Sequence, residues 1–171
     1  MSVPNIFQWV GPGGAAQVYG AIALVRTSSP NPDGTVGGTF GVGYPAVVAA
    51  NRAKHEAWLF SLVKDGQSRT NLAIADARSG APEKVGYFVD LYDADAGGNR
   101  VSKTLGPISL AGGQWYQLSD LLSGTGISHG YARVYTSGGA SDFVTYAVVN
   151  DGAAVGQGTS DGSYVPMSYV Q

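Results

Sequence analysis

Turn-forming dipeptides divide this chain into segments too short for long helices. Four Asp-Gly pairs occur, at Asp33-Gly34, Asp65-Gly66, Asp151-Gly152 and Asp161-Gly162. Both residues tolerate positive φ, so an Asp-Gly pair between apolar runs is a strong local signal for a β-hairpin. The 171 residues also include 26 Gly and 8 Pro, which adds further turns. The pattern therefore predicts short strands joined by tight turns.

The segments between the turns are rich in Val, Ile, Tyr, Phe and Thr, and we predict a strand in each of nine: 17–27, 39–49, 56–64, 69–77, 84–93, 100–105, 114–118, 130–136 and 142–150. Residues 84–91 alternate with period 2, placing Val85, Tyr87, Val89 and Leu91 on one face and Asp90 on the other. Helix signals are confined to 51–56 and to one turn at 119–123. We predict an all-β, two-layer antiparallel β-sandwich of about nine strands with at most one or two short helices. The alternative is a closed β-barrel.

Length and composition limit the classes of protein to consider. A chain of 171 residues predicts a single domain spanning 1–171. Its 10 Lys and Arg against 12 Asp and Glu give a net charge of −2, which excludes an electrostatic nucleic-acid binder. There is no Cys, so disulfides and thiolate sites are excluded. The sequence pattern predicts neither a signal peptide nor an apolar run long enough to span a membrane. Charged residues are only 13% of the chain, which favours a mature segment of a secreted or cell-surface protein over a cytoplasmic one.

One enzyme-like motif occurs, where Gly126, Ser128 and Gly130 match the Gly-x-Ser-x-Gly nucleophile elbow. An elbow needs a helix after the serine and a histidine later in the chain. Here a strand pattern follows, and His129 is the immediate neighbour of the serine. We therefore predict a loop, no catalytic residue and no enzyme activity, with a small serine hydrolase as a remote alternative.

Metal and cofactor sites have little support. The run Asp93-Ala94-Asp95 begins like a calcium loop, but Gly97 stands where a third ligand is needed, so a hairpin turn is predicted. His55 and His129 are too few for a histidine-built site, although His55 and Glu56 could join remote carboxylates. No phosphate-binding glycine motif occurs, and no metal or cofactor is expected.

Aromatic side chains are the remaining candidates for binding. Tyr131, Arg133 and Tyr135 alternate along one strand, so they share a face, while Ala132 and Val134 point to the core. We predict that this face binds a ligand or a second subunit. The alternative is a structural role at the second sheet or strand rim, with Arg133 paired to an acid. Trp115-Tyr116 is predicted to be a core anchor followed by an edge residue.

Five motifs in residues 67–166 carry a family resemblance: Arg69-Thr70-Asn71-Leu72, Leu91-Tyr92-Asp93-Ala94-Asp95, Trp115-Tyr116-Gln117-Leu118, Tyr146-Ala147-Val148-Val149-Asn150 and Tyr164-Val165-Pro166. Together they resemble a recurrent, largely uncharacterised β-sandwich module of exported bacterial proteins. The resemblance implies secretion, an all-β sandwich and no catalytic residues. Arg69 and Asn71 fall on one strand face, and we predict that they form a hydrogen-bonded pair because a buried Arg needs acceptors.

These observations predict a non-catalytic, exported binding or structural module that is able to self-associate. A carbohydrate-binding module is the alternative. The expected partners are protein subunits or a glycan, with no nucleic acid and no membrane span. Exposed coplanar aromatic rings would favour the glycan.

Overall fold

A computed structural model of the chain describes residues 24–30, 39–97, 101–138, 141–154 and 161–168. Its ten strands are β1 (Leu24–Pro30), β2 (Thr39–Pro45), β3 (Glu56–Val63), β4 (Ser68–Asp76), β5 (Val85–Asp93), β6 (Val101–Leu110), β7 (Trp115–Leu118), β8 (His129–Thr136), β9 (Phe143–Asp151) and β10 (Gly162–Pro166). A 3₁₀ turn at Ala49–Asn51 is the one helical element within the described ranges.

The strands form two four-stranded antiparallel sheets and one separate hairpin. Strand order is β10-β9-β4-β7 in the first sheet and β3-β8-β5-β6 in the second, and β1 pairs with β2. Apolar side chains from both sheets, such as Leu59, Ile74 and Val134, are fully buried between them. The predicted all-β sandwich is confirmed, and the sheets do not close into a barrel.

Strand β5 confirms the period-2 assignment. Tyr87, Val89 and Leu91 are fully buried and belong to the core, while Asp90 lies on the opposite face. Asp90 is nevertheless only 6% exposed. The Thr104 hydroxyl donates to its Oδ1 at 2.6 Å, so this face of the sheet is covered by its own side chains.

Some predicted element boundaries are wrong. Strand β10 was not among the nine predicted strands, and β6 continues to Leu110 instead of ending at residue 105. Gly106 and Pro107 lie inside β6, which tolerates the proline because an edge strand has one row of N–H groups outside the ladder. The helix signal at 51–56 does not correspond to a helix, and the structure has a 3₁₀ turn at Ala49–Asn51 that overlaps it only at Asn51. Residues 119–124 form a turn. The predicted strand at 17–27 lies mostly outside the described residues.

The Asp-Gly pairs mark turns but not always hairpins. Asp65-Gly66 connects β3 to β4, which belong to different sheets, so the expected hairpin there is wrong. The Asp65 carboxylate accepts the backbone N–H groups of Gln67 and Ser68, which stabilises the turn. Asp151-Gly152 and Asp161-Gly162 lie at the end of β9 and the start of β10, and these strands do pair. Asp33-Gly34 lies outside the described residues.

Candidate functional site

The outer face of the sheet β3-β8-β5-β6 carries the predicted Tyr-Arg-Tyr stripe. Ala132 and Val134 are fully buried in the core, as expected, and Tyr131, Arg133 and Tyr135 point away from it. The second sheet packs on the opposite side, so it does not cover these three residues. The structure thus confirms which face they share, while their role in binding stays a prediction.

Neighbouring strands add aromatic residues to the stripe. Antiparallel register aligns Tyr135 with Glu56 and Phe88, Arg133 with Trp58 and Asp90, and Tyr131 with Tyr92. Phe60 is also in contact with Tyr131, at 5.7 Å between ring centroids, and is 48% exposed. We call this surface the aromatic face, comprising Glu56, Trp58, Phe60, Phe88, Asp90, Tyr92, Tyr131, Arg133 and Tyr135.

Several rings of the aromatic face stack on each other. The Tyr92 and Tyr131 centroids are 4.7 Å apart with planes only 5° from parallel, and Phe88 and Tyr135 are 5.5 Å apart at 22°. Parallel rings this close must overlap face to face, because coplanar rings at that distance would collide. In each of these pairs, one face of each ring is therefore covered by its partner.

Arg133 is the charged centre of the aromatic face. Its Nε donates to Glu56 Oε2 at 2.8 Å, Nη2 donates to the same oxygen, and Nη1 lies 4.0 Å from Asp90 Oδ2. The guanidinium also lies over the ring of Tyr135, 4.6 Å from its centroid. The structural alternative, in which Arg133 pairs with an acid, is thus realised on the same face as the half-buried rings.

Glu56 is held in its charged form. Partial burial raises the pKa of Glu56. The hydrogen bonds from Arg133 and from Trp58 Nε1 (3.1 Å), together with the charge of Arg133, lower it by more, so the pKa of Glu56 lies below its ordinary value. The central charges are therefore already paired when the face is covered, which reduces the cost of removing water from it.

The Gly-x-Ser-x-Gly match lies on a loop that runs into a strand. Ser128 is exposed and precedes β8 directly, so no elbow helix follows it. Ser128 lies in a bend, and His129 is the first residue of β8. Its Nδ1 is 3.0 Å from Asp95 Oδ2. This arrangement does not bring the histidine ring onto the serine hydroxyl.

The acidic run at the end of β5 forms the predicted turn. Asp93 Oδ1 accepts the backbone N–H groups of Asp95 at 3.0 Å and Ala96 at 3.3 Å, so this carboxylate stabilises the turn itself. Across the described parts of the chain, no group of three or more His, Cys, Asp or Glu side chains is placed to hold a metal ion.

Two other sequence predictions need correction. Trp115 is 58% exposed and is not a core anchor, because β7 is an edge strand and Trp115 pairs with Ala75 on the outer face of its sheet. Arg69 and Asn71 share a face but have different partners. Arg69 Nη1 donates to the Gly152 carbonyl at 2.6 Å, and Asn71 Oδ1 accepts the Asp120 N–H at 2.8 Å.

Comparison with protein-family models, curated proteins and solved structures gave no match. In the part of the chain that the structure describes, no helix has the length and apolarity needed to cross a membrane.

Proposed function

We propose that this protein is a non-catalytic, exported binding module whose aromatic face associates with a second copy of the chain. The observation that carries the proposal is the clustering of six aromatic side chains around the Glu56–Arg133 ion pair on one outer sheet face. Tyr, Trp and Arg are the residue types most enriched at the energetic centres of protein interfaces. Export rests on the charge-poor composition and on the family resemblance.

Ring geometry favours a protein partner over a glycan on this face. A sugar packs on the open face of an aromatic ring, but Tyr92 and Tyr131 cover one face of each other. The Trp58 ring lies 5.5 Å from Tyr92 and the Phe60 ring 5.7 Å from Tyr131 between centroids, which further restricts access to these two rings. Ring edges and the exposed Phe60 suit side chains of a partner that fit between them. A second copy meets little electrostatic resistance, because the chain carries a net charge of only −2.

The size of the aromatic face sets the expected strength of association. Three strands at a spacing of about 4.8 Å and three rows of side chains along them give a patch of roughly 15 Å by 20 Å. That is less than half of the ~800 Å² that each partner contributes to a standard interface. We therefore expect weak association, visible in the micromolar to millimolar range.

The test is sedimentation velocity and light scattering from micromolar to millimolar protein. Tyr131→Ala combined with Tyr135→Ala should weaken self-association by ~1–4 kcal/mol, as truncation of interface anchors normally does. Tyr116→Ala is the matched control, because Tyr116 is an exposed tyrosine on β7 in the other sheet and should leave association unchanged.

Two results would contradict the proposal. If the wild-type protein stays monomeric at millimolar concentration, the chain does not self-associate. If the double variant is folded and associates like the wild type, the aromatic face is not the interface. Labelling of Ser128 by a fluorophosphonate probe would contradict the non-catalytic assignment.

A further inference from the structure

A second candidate site lies on the opposite side of the molecule, between the β1–β2 hairpin and the outer face of the sheet β10-β9-β4-β7. There the structure leaves a cavity of about 460 Å³, within the roughly 300–1,000 Å³ typical of small-molecule sites. We call it the hairpin groove, and its lining comprises Val25, Thr27, Tyr44, Ala73, Ala75, Gly113, Trp115, Gln117 and Tyr146.

Small residues on β4 create the space. Ala73 pairs with Gln117 on one side and Tyr146 on the other, and Ala75 pairs with Trp115. Cross-strand neighbours stand only about 5 Å apart, so two alanines between larger side chains form the floor of a trough. The floor runs along β4, and its walls are rings and an amide.

The hairpin is held over this trough by a tyrosine cluster. The ring of Tyr44 on β2 meets Tyr146 edge to face at 5.3 Å between centroids and Tyr164 at 5.9 Å. Gly41 N–H donates to Asp161 Oδ1 at 3.3 Å. The hairpin therefore contacts the sheet on the β10 side of the groove. The groove is open on the β7 side, where Trp115 is 58% exposed.

The chemistry of the lining selects the class of ligand. None of the described residues that line the groove is charged, so an ionic ligand would lose its hydration without a compensating partner. A wholly apolar ligand would instead cover the Thr27 hydroxyl and the Gln117 amide without giving them hydrogen bonds. Gln117 is oriented by its own hydrogen bond to Ser119 Oγ at 3.1 Å.

We infer that the hairpin groove binds a neutral oligosaccharide. Such a ligand can pack an apolar C–H face on Trp115 and form hydrogen bonds with Gln117 and Thr27 through its hydroxyl groups. It therefore carries no charge that would need a partner, and it leaves neither polar side chain without a hydrogen bond. This inference is independent of the proposed self-association, because the two sites lie on the outer faces of different sheets.

The test is isothermal titration calorimetry of the full chain against a panel of neutral tetrasaccharides and hexasaccharides, built from glucose, mannose, galactose, xylose or N-acetylglucosamine. Trp115→Ala should weaken binding of the recognised sugar at least tenfold. Ala75→Leu should do the same by filling the floor while keeping the tryptophan. Tyr116→Ala is the matched control, since Tyr116 neighbours Trp115 but pairs with Ile74 on the other side of β7 and should bind like wild type.

Three outcomes would overturn the inference. One is no binding by any panel member at millimolar concentration. Another is sugar binding that survives both Trp115→Ala and Ala75→Leu. The third is binding of a neutral apolar dye, displaced by none of the sugars and lost in Ala75→Leu. Melting temperatures establish that each variant is folded.

Discussion

At the scale of single residues, the alternation along a strand predicts which side chains share a face but not which partner each one finds. The alternation of Tyr131, Arg133 and Tyr135 was enough to place them on one face. The acceptor of Arg133 is Glu56, 77 residues away in sequence, and no local pattern identifies it. Arg69 shows the same limit. Its burial predicts that hydrogen-bond acceptors must be present, but these are backbone carbonyls more than 80 residues away, which the sequence does not identify.

Asp76 provides a residue-scale prediction. Its carboxylate is 0% exposed and accepts from Arg78 Nε at 3.0 Å and Nη2 at 2.7 Å. Burial raises the pKa of Asp76, but the Arg78 hydrogen bonds lower it more, so its pKa lies below the ordinary 3.8. Asp76→Asn should lower the free energy of unfolding at pH 7 by ~1.5–3 kcal/mol, the range for hydrogen bonds to charged groups. Urea denaturation measures this change.

The pH dependence of stability tests whether the charge of Asp76 is responsible for this effect. A depressed carboxyl pKa stabilises the fold above pH 3.8, and this stabilisation is lost as the pH falls through the folded-state value. Between pH 7 and pH 3 the wild type should therefore lose more stability than Asp76→Asn. Glu83→Gln changes an exposed carboxylate and should lose as much as wild type. Equal losses in all three proteins would contradict the prediction.

At the scale of elements, strand positions follow from the sequence better than strand connections do. Turn chemistry at Asp65-Gly66 specifies that the chain reverses, but the next strand can enter either sheet, and here it enters the other one. Strand β10 was missed because it is short and runs from a glycine to a proline, with little apolar alternation between them. Its pairing with β9 depends on long-range register instead.

Gly130 on β8 gives an element-scale prediction. A Cβ at this position would lie 2.5 Å from the Tyr92 carbonyl oxygen and 2.9 Å from Ile127 Cγ2, so β8 could not keep its distance from β5. Gly130→Ala should therefore destabilise the protein by ~1–3 kcal/mol, as overpacking does. Gly66→Ala is the control, because among the described residues no atom beyond its chain neighbours lies within 4 Å of a Cβ there. Equal unfolding midpoints for the two variants would contradict the prediction.

At the scale of the whole molecule, the sandwich presents two candidate sites on the outer faces of its two sheets. Three residues of the aromatic face were identified from their own strand. Trp58 and Phe60 were missed, although the alternation of β3, with Ala57 and Leu59 facing the core, could have revealed them. The hairpin groove could not be predicted from the sequence. Its floor consists of alanines flanked by larger side chains on neighbouring strands, and the sequence does not show which strands pair.

The same two sheets are joined inside the core by a hydrogen bond. The Tyr87 hydroxyl on β5 is 2.9 Å from Ser141 Oγ, just before β9, and both residues are buried. The Tyr87 ring also meets Phe143 edge to face at 5.3 Å between centroids. Burial raises the pKa of Tyr87 to about 12, so the hydroxyl keeps its proton over the physiological range. The bond therefore connects the sheets at any ordinary pH.

A double-mutant cycle tests whether this bond holds the sheets together. Tyr87→Phe and Ser141→Ala should each lower the free energy of unfolding by ~1–3 kcal/mol, because each removes one partner of this buried hydrogen bond. The combined variant should cost at least ~0.5 kcal/mol less than the sum of the two, since the bond between the two hydroxyls is already lost in each single variant. Guanidinium denaturation of the four proteins gives the coupling. Strictly additive changes in unfolding free energy would contradict the prediction. The sheets would then be held together at this point by the Tyr87–Phe143 ring contact and by apolar burial.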